Sequence, residues 1–277
     1  MTDAATIVSA DDPLDLTLSP DECEAHREHV TEFIAEMTAR AGVEEAVIGL
    51  SGGIDSTLTS HLAVEALGAE NVYGLVMPSE VNSEANMSDA ERVASDLLDI
   101  EYDVVEINPL VDAFLAAYPA AEGDQLAVGN LRVRSRAVLN YLAANHRDAL
   151  VLGTGNRSEA QVGYFTKYGD GAVDCHPIAN LYKAQVRQLA THVGVPADLA
   201  AKEASAEMWV GQTDEAEMGV DYPTLDSILA LHVEGGLSVS ATAREIGVPA
   251  DAVDRVRGLH EQSAHKRNVP PGPEPLY

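Results

Sequence analysis

Ser51-Gly52-Gly53-Ile54-Asp55-Ser56-Thr57 is the stretch of this chain best suited to chemistry. An apolar run, Val47-Ile48-Gly49-Leu50, leads into it, and Leu58, Leu62, Ala63, Ala66 and Leu67 follow at helical spacing. That order implies a strand, a tight turn and a helix. Such a turn gathers backbone N–H groups at a helix start, where they have no intrahelical partner and the dipole is positive, so it can hold an anion such as phosphate. No Gly-Lys-Ser/Thr ending is present, which excludes a Walker A loop. An acid facing phosphates requires a cation between them, and Asp55 is therefore a candidate Mg²⁺ ligand.

The elements around this turn follow from periodicity. Ser19-Pro20-Asp21-Glu22 offers a cap and an acidic first turn for a helix reaching about Ala41. Apolar runs at 46–50, 72–77, 102–107 and 149–153 are strand-length, and residues 57–68, 87–98 and 126–145 between them read as helices. Alternation of this kind implies a parallel sheet covered on both faces, with ligands at the carboxyl ends of its strands. The turn after the first strand and Gly153-Thr154-Gly155-Asn156-Arg157-Ser158-Glu159 after the fourth should share one cleft. Residues 78–88 and 204–219 lack a packing pattern and read as mobile covers or plain surface loops. Residues 237–253 have the outline of a helix-turn-helix, but the acids Asp251, Asp254 and Glu261 around Arg255 and Arg257 favour two packing helices over DNA readout.

Composition narrows the partners. The 277 residues suit one large α/β domain from residue 20 onward, after a loosely held leader at 1–19. A net charge of −28, from 45 acids against 17 bases, argues against a nucleic-acid partner and points to a halophilic source with a salt-rich cytoplasm. Only four of the bases are lysine: Lys167, Lys183, Lys202 and Lys266. Cys23 and Cys175 have no metal or redox spacing, and neither a targeting segment nor an apolar span is evident, so a cytoplasmic protein without a membrane partner is expected.

Ser-Gly-Gly-X-Asp-Ser resembles the pyrophosphate loop of the ATP-pyrophosphatase group. A second block, Phe165-Thr166-Lys167-Tyr168-Gly169-Asp170-Gly171 followed by Asp174, Pro177 and Lys183, is similar to that of the NAD synthetase family. Gly129-Asn130-Leu131-Arg132-Val133-Arg134-Ser135-Arg136, Gly211-Gln212-Thr213-Asp214-Glu215 and His265-Lys266-Arg267 extend the resemblance over most of the chain. It implies a Rossmann-like, adenine nucleotide alpha hydrolase-like α/β fold. The implied reaction is adenylylation of the nicotinate carboxylate of deamido-NAD by ATP, followed by displacement of AMP by ammonia. The competing readings are another adenylylating ligase, a tRNA thiolase, or a nucleotide-binding regulator without turnover. A thiolase calls for catalytic cysteines and a basic surface, and a regulator has no use for a second dinucleotide site.

The resemblance also implies roles. Gly49, Leu50, Ser51, Gly52, Gly53, Ile54, Asp55 and Ser56 would bind ATP, together with Arg134, Thr154, Lys183 and Ser205. Asp55 and Glu159 would hold Mg²⁺, with Asp55 and Lys183 catalytic. Asn130, Phe165, Lys167, Asp174, His265 and Lys266 would seat deamido-NAD. Lys202 is assigned to the surface, and without the motif the arginines 132, 134 and 136 would be a solvated basic face. Glutamine-dependent members carry an additional amidase domain with its own cysteine nucleophile, so free ammonia is the expected nitrogen donor for this chain, with a separate ammonia-supplying enzyme as a possible partner. A homodimer is implied as well. Because acid–acid repulsion is screened by salt, the melting temperature should rise steeply with KCl concentration; a midpoint indifferent to KCl would contradict this reading of the charge.

Overall fold

A computed structural model of the chain describes residues 14–82, 84–206, 208–209 and 211–276. The first helix, α1 (Pro20–Ala41), starts where the sequence places it: Ser19 and Glu22 form a capping box, and Gly42 closes the other end with φ 76°. Strand β1 (Glu45–Leu50) then runs into the glycine turn and α2 (Ile54–Leu67). β2 (Val72–Val76), α3 (Glu84–Arg92) and β3 (Glu101–Val104) come next, followed by α4 (Asn108–Ala117), α5 (Gln125–Arg147) and β4 (Ala149–Leu152). All pairings are parallel, in the order β3-β2-β1-β4. The chain therefore reverses its direction of travel across the sheet between β1 and β4, and a crevice opens there at the carboxyl ends of the strands.

The two faces of the sheet bury different partners. Ala46, Ile48 and Leu50 of β1 join a core with Val30 and Ile34 of α1, Leu58 and Leu62 of α2, and Val186 and Leu189 of α7 (Lys183–His192). Val47, Tyr73, Leu75 and Val151 face the opposite way, onto Val111 of α4 and Ala144 of α5. This alternation along strands buried on both sides is the sheet's period of two.

The C-terminal third builds a third apolar cluster. α6 (Arg157–Val162) precedes α7, and α8 (Ala197–Ala200) and α9 (Asp214–Met218) follow it. Then come α10 (Tyr222–Ile228), α11 (Val239–Ile246), α12 (Ala250–Gln262) and α13 (Ala264–Arg267). Met218, Tyr222, Leu225, Val253 and Val256 are its centre. The two helices expected at 237–253 are present as α11 and α12, packed on each other around Gly247.

Several boundaries differ from the expected ones. α2 begins at Ile54 rather than at residue 57, so Asp55 and Ser56 belong to its first turn. The third strand runs over 101–104 rather than 102–107, although Val105 and Ile107 still donate to Val76 and Pro78 carbonyls before the chain bends into α4, a helix the apolar pattern does not separate from the strand. Of the expected leader, residues 1–13 lie outside the described residues. Leu14 and Leu16 pack against the C-terminal cluster and Leu18 against the sheet core.

Candidate active site

At the head of β1 the turn is organised by its own hydroxyls. Ser56 Oγ accepts from the Ser51 N–H at 3.3 Å and donates to the Gly53 carbonyl at 3.1 Å. The Gly53 N–H donates to Ser51 Oγ at 3.2 Å, and the two serine hydroxyls lie 3.1 Å apart. Gly52 has φ 73°, and a Cβ built on it would lie 2.3 Å from the Asn86 carbonyl oxygen of α3. Only glycine meets both demands.

Three helix starts meet beside this turn. Asp55 lies in the first turn of α2, Glu159 in that of α6, and Lys183 opens α7. The Lys183 ammonium, buried with 2% of its side chain exposed, donates to Asp55 Oδ2 at 2.6 Å and to Glu159 Oε1 at 3.2 Å. Asn156, the cap of α6, accepts from the Glu159 N–H at 3.0 Å, donates its own backbone N–H to Glu159 Oε2 at 3.4 Å and its side-chain amide to Asp55 Oδ1 at 2.8 Å, orienting both carboxylates. Behind them the Tyr222 hydroxyl donates to Asp214 Oδ2 at 2.8 Å and sits 3.4 Å from Glu159 Oε1. Asp226 fixes the start of α7: it accepts from the Ala184 N–H at 3.1 Å and from the Ser158 hydroxyl at 2.5 Å, and that hydroxyl accepts from the Lys183 N–H at 2.9 Å.

Electrostatics follow from burial. Desolvation disfavours the Lys183 ammonium, but Asp55, Glu159 and Asp214 together outweigh it and hold its pKa above the ordinary lysine value. Burial pushes Glu159 above the ordinary carboxylate range, against the pull of Lys183 and with help from the charges of Asp55 and Asp214. Burial also raises Asp214 and pushes Asp226 up to about 6. Two carboxylates converging on one cation match the oxygen donor set that Mg²⁺ takes together with phosphate oxygens. Asp214 Oδ1 is buried without a hydrogen-bond partner, so acceptor capacity remains on that side.

Asp55, Glu159, Lys183 and Asp214 line one cleft of about 630 Å³, which also includes Gly49, Leu50, Ser51, Gly53, Ile54 and Ser56 of the turn, Thr154 after β4, Asn130 of α5, Phe165, Lys167, Ser205 and Lys266. The expected convergence of the β1 and β4 loops is therefore found. Gly52, Arg134, Asp174 and His265 lie outside that lining. Arg134 donates to the Lys167 carbonyl at 3.2 Å, and Lys167 Nζ donates to the His265 carbonyl at 2.5 Å. Lys266 Nζ holds the Gly163 and Phe165 carbonyls, each at 2.7 Å. The Asp174 carboxylate accepts from the Val151 N–H of β4 at 2.8 Å and from the Tyr141 hydroxyl of α5 at 3.1 Å. Ser205 lines the cleft and donates to the Gln212 carbonyl at 2.7 Å.

One expectation is corrected, and the reading of Arg132 and Arg136 from spacing alone is ruled out. Lys202 is not a free surface lysine: it lines the cleft, donates to the Gly52 carbonyl at 3.2 Å and pairs with Asp89. Arg132 and Arg136 are not a solvated face either. Arg132 is buried and bridges Glu80 to the Met208 carbonyl, while Arg136 donates to the Met77 carbonyl and Asn82, so α5 ties both polar loops over the cleft. Sequence reasoning assigns no role to Asn156, Asp214, Tyr222 or Asp226. Asn156 stands three residues before Glu159, the spacing of a capping box, and that signal is there to be found; nothing local marks Tyr222 or Asp226.

A family model described as NAD synthase matches residues 26–270. The chain belongs to the NAD synthase family. The NH(3)-dependent NAD(+) synthetase of Halobacterium salinarum is 57% identical over 261 residues, covering 94% of this chain and 97% of that protein. The enzyme of the same name from Methanosarcina mazei is 43% identical, covering 92% of this chain and 100% of the relative. Among solved structures, an NMN synthetase from Francisella tularensis superposes with a TM-score of 0.81 at 35% identity, covering 93% of this chain and 99% of that one. The NH3-dependent NAD synthetase of Campylobacter jejuni, in complex with nitrate, gives 0.78 at 28% identity, covering 93% and 100%. These neighbours have the adenine nucleotide alpha hydrolase-like α/β fold, with one parallel sheet and helices on both sides, that this NAD synthase family member shares. In it, Gly52→Ala should cost at least about 1–2 kcal/mol through left-handed backbone strain alone, with the clash against Asn86 added. Thermal melting checks this, and an unchanged midpoint would contradict the packing described.

Proposed function

We propose that this chain is a C–N ligase that amidates deamido-NAD to NAD with ATP and free ammonia, releasing AMP and pyrophosphate. The observation that carries the reading is the Lys183–Asp55–Glu159 cluster set against the glycine turn in a chain of the NAD synthase family. A carboxylate has a poor leaving group. Adenylylation replaces it with AMP, which ammonia can displace.

The residues divide the work. Backbone N–H groups of the turn and the start of α2 face the phosphates, and the Lys183 ammonium, desolvated and aimed at the same place, balances charge that grows on phosphorus and on departing pyrophosphate. Asp55 and Glu159 would hold Mg²⁺, which when bound neutralises phosphate charge. Asn156 keeps both carboxylates in register for it. Asn130, Phe165 and Lys167 line the cleft beyond the turn and would receive the nicotinate-bearing substrate.

Asp174 and Arg134, outside the cleft, are both exposed, Asp174 against Tyr141 of α5 and Arg134 on α5 itself. Leu110 and Phe114 of α4, Tyr118 just past its end, and Val138 and Leu142 of α5 are exposed, and on these two contacting helices they would make an apolar patch. A second copy of the chain covering that patch would bring Asp174 and Arg134 into a shared dinucleotide site, so the protein is proposed to work as a homodimer. Leu142→Asp should then sediment as a monomer while the parent sediments at twice the chain mass; a monomeric parent would remove the proposal. Among the described residues no helix is long and apolar enough to cross a membrane, and a cytoplasmic location is part of the same reading.

The decisive assay measures pyrophosphate and NAD formed by the protein in high KCl with ATP, Mg²⁺ and deamido-NAD, with ammonium or glutamine as donor. NAD from ammonium and none from glutamine is expected. Product with neither donor would return the chain to the wider group of adenylylating ligases. The likeness to an NMN synthetase makes nicotinate mononucleotide the second acid to run, with deamido-NAD expected to be preferred. Asp55→Ala should lose adenylylation by at least about a hundredfold. Because Asp55 also neutralises the buried Lys183 ammonium, the variant should melt lower as well, a cost not visible in the sequence.

A further inference from the structure

All four lysines of this chain line the cleft. Lys183 meets the two carboxylates, and Lys167 and Lys266 hold carbonyls of the C-terminal segment and of the block at 163–165. Lys202, just after α8, stands apart. Its ammonium donates to the Gly52 carbonyl at 3.2 Å and pairs with Asp89 of α3 at 2.5 Å, and three-quarters of the side chain is covered. The same helix also packs closely on Gly52, because a Cβ there would meet Asn86 O, Ala90 N at 3.0 Å and Asp89 Cβ at 3.1 Å.

The consequence is a matter of peptide geometry. Among the described residues no peptide is cis, and in a trans peptide the carbonyl of one residue and the N–H of the next point in opposite directions. With the Gly52 carbonyl turned toward Lys202 and α3, the Gly53 N–H must point the opposite way. It does so, onto Ser51 Oγ at 3.2 Å, on the side of the turn that lines the cleft. A flipped peptide would instead present a carbonyl oxygen where an anion has to sit, exchanging an attractive dipole for a repulsive one.

We infer that Lys202 is a positioning residue for the anion-binding turn: anchored by Asp89, it holds the Gly52 carbonyl toward α3 and so keeps the Gly53 N–H directed at the phosphates of ATP. This rests on the ATP-dependent function proposed above. Lys202 also leads directly into Ser205, so one side chain ties the turn to a segment that lines the same cleft.

Inorganic pyrophosphate, titrated calorimetrically into the whole protein, is the probe. Lys202→Met keeps the aliphatic stem and should weaken pyrophosphate binding about tenfold, with the KM for ATP rising and that for deamido-NAD unchanged. Lys202→Arg retains donors for both partners and should recover most of the loss. Asp89→Asn separates positioning from simple charge. Removing a carboxylate near an anion site should tighten binding if only electrostatics matter, whereas loss of the anchor should weaken it. Pyrophosphate affinity unchanged in Lys202→Met, or increased in Asp89→Asn, would overturn the assignment. Equal losses in the Met and Arg variants would do so too. If Lys202→Met does not fold, Asp89→Asn decides by the same sign. A parent that binds pyrophosphate yet makes no NAD would refute the functional reading and leave this test intact.

Discussion

An ammonium buried to 2% exposure is tolerable only where opposite charge and hydrogen bonds replace the water it has lost, and Lys183 finds both in Asp55 and Glu159. That requirement ties together three segments far apart in sequence: α2 after β1, α6 after β4, and α7 beyond the block that follows α6. It also places the ammonium at a helix start, where the dipole opposes it, so the neighbouring carboxylates are what keep it charged. Asn156, Ser158, Asp226 and Tyr222 surround the cluster and leave its members little freedom. The result is a set of charges aligned before any substrate arrives, which is the condition under which electrostatic stabilisation is strongest.

The sheet determines where this cluster can be. Strand order β3-β2-β1-β4 makes β1 and β4 neighbours, and the cleft at their carboxyl ends receives the glycine turn from one and Thr154, Gly155 and Glu159 from the other. α5 crosses behind and uses Arg132 and Arg136 to secure the two polar loops, so those loops are bound to the scaffold through charge-assisted contacts. In a chain carrying −28 net charge, cations are scarce, and lysine is confined to the single cleft where phosphates are expected. The acidic surface and the gathering of lysine at the site are thus two sides of one distribution of charge.

Much of this architecture is legible in the order of residues. Alternating apolar runs and helical stretches specify a parallel sheet because the periods of two and 3.6 are imposed by burial on each face, and the glycine turn announces itself through residue types no ordinary loop requires. The convergence of Asp55, Glu159 and Lys183 comes from the family resemblance, since nothing local says that residues 128 positions apart will touch. Lys202 reads as a surface lysine for the same reason: its partners, Gly52 and Asp89, are 150 and 113 residues away. Arg132 and Arg136 resemble a solvated face because helical spacing reveals which side a residue occupies, and not whether a loop folds over it. Boundaries are blurred where apolar residues continue past the end of an element, as at residues 104–107, where the strand hands over to α4.

The central claim is that the nicotinate carboxylate attacks the α-phosphorus of ATP inside this cleft, and its oxygen atoms record whether it does. Deamido-NAD labelled with ¹⁸O at both carboxylate oxygens, turned over with ATP and ammonium, should yield AMP carrying one labelled oxygen and an amide retaining the other. Unlabelled AMP alongside NAD would mean that the carboxylate never joined the phosphorus, and the turn, Lys183 and the paired carboxylates could not then be the machinery of an adenylylation.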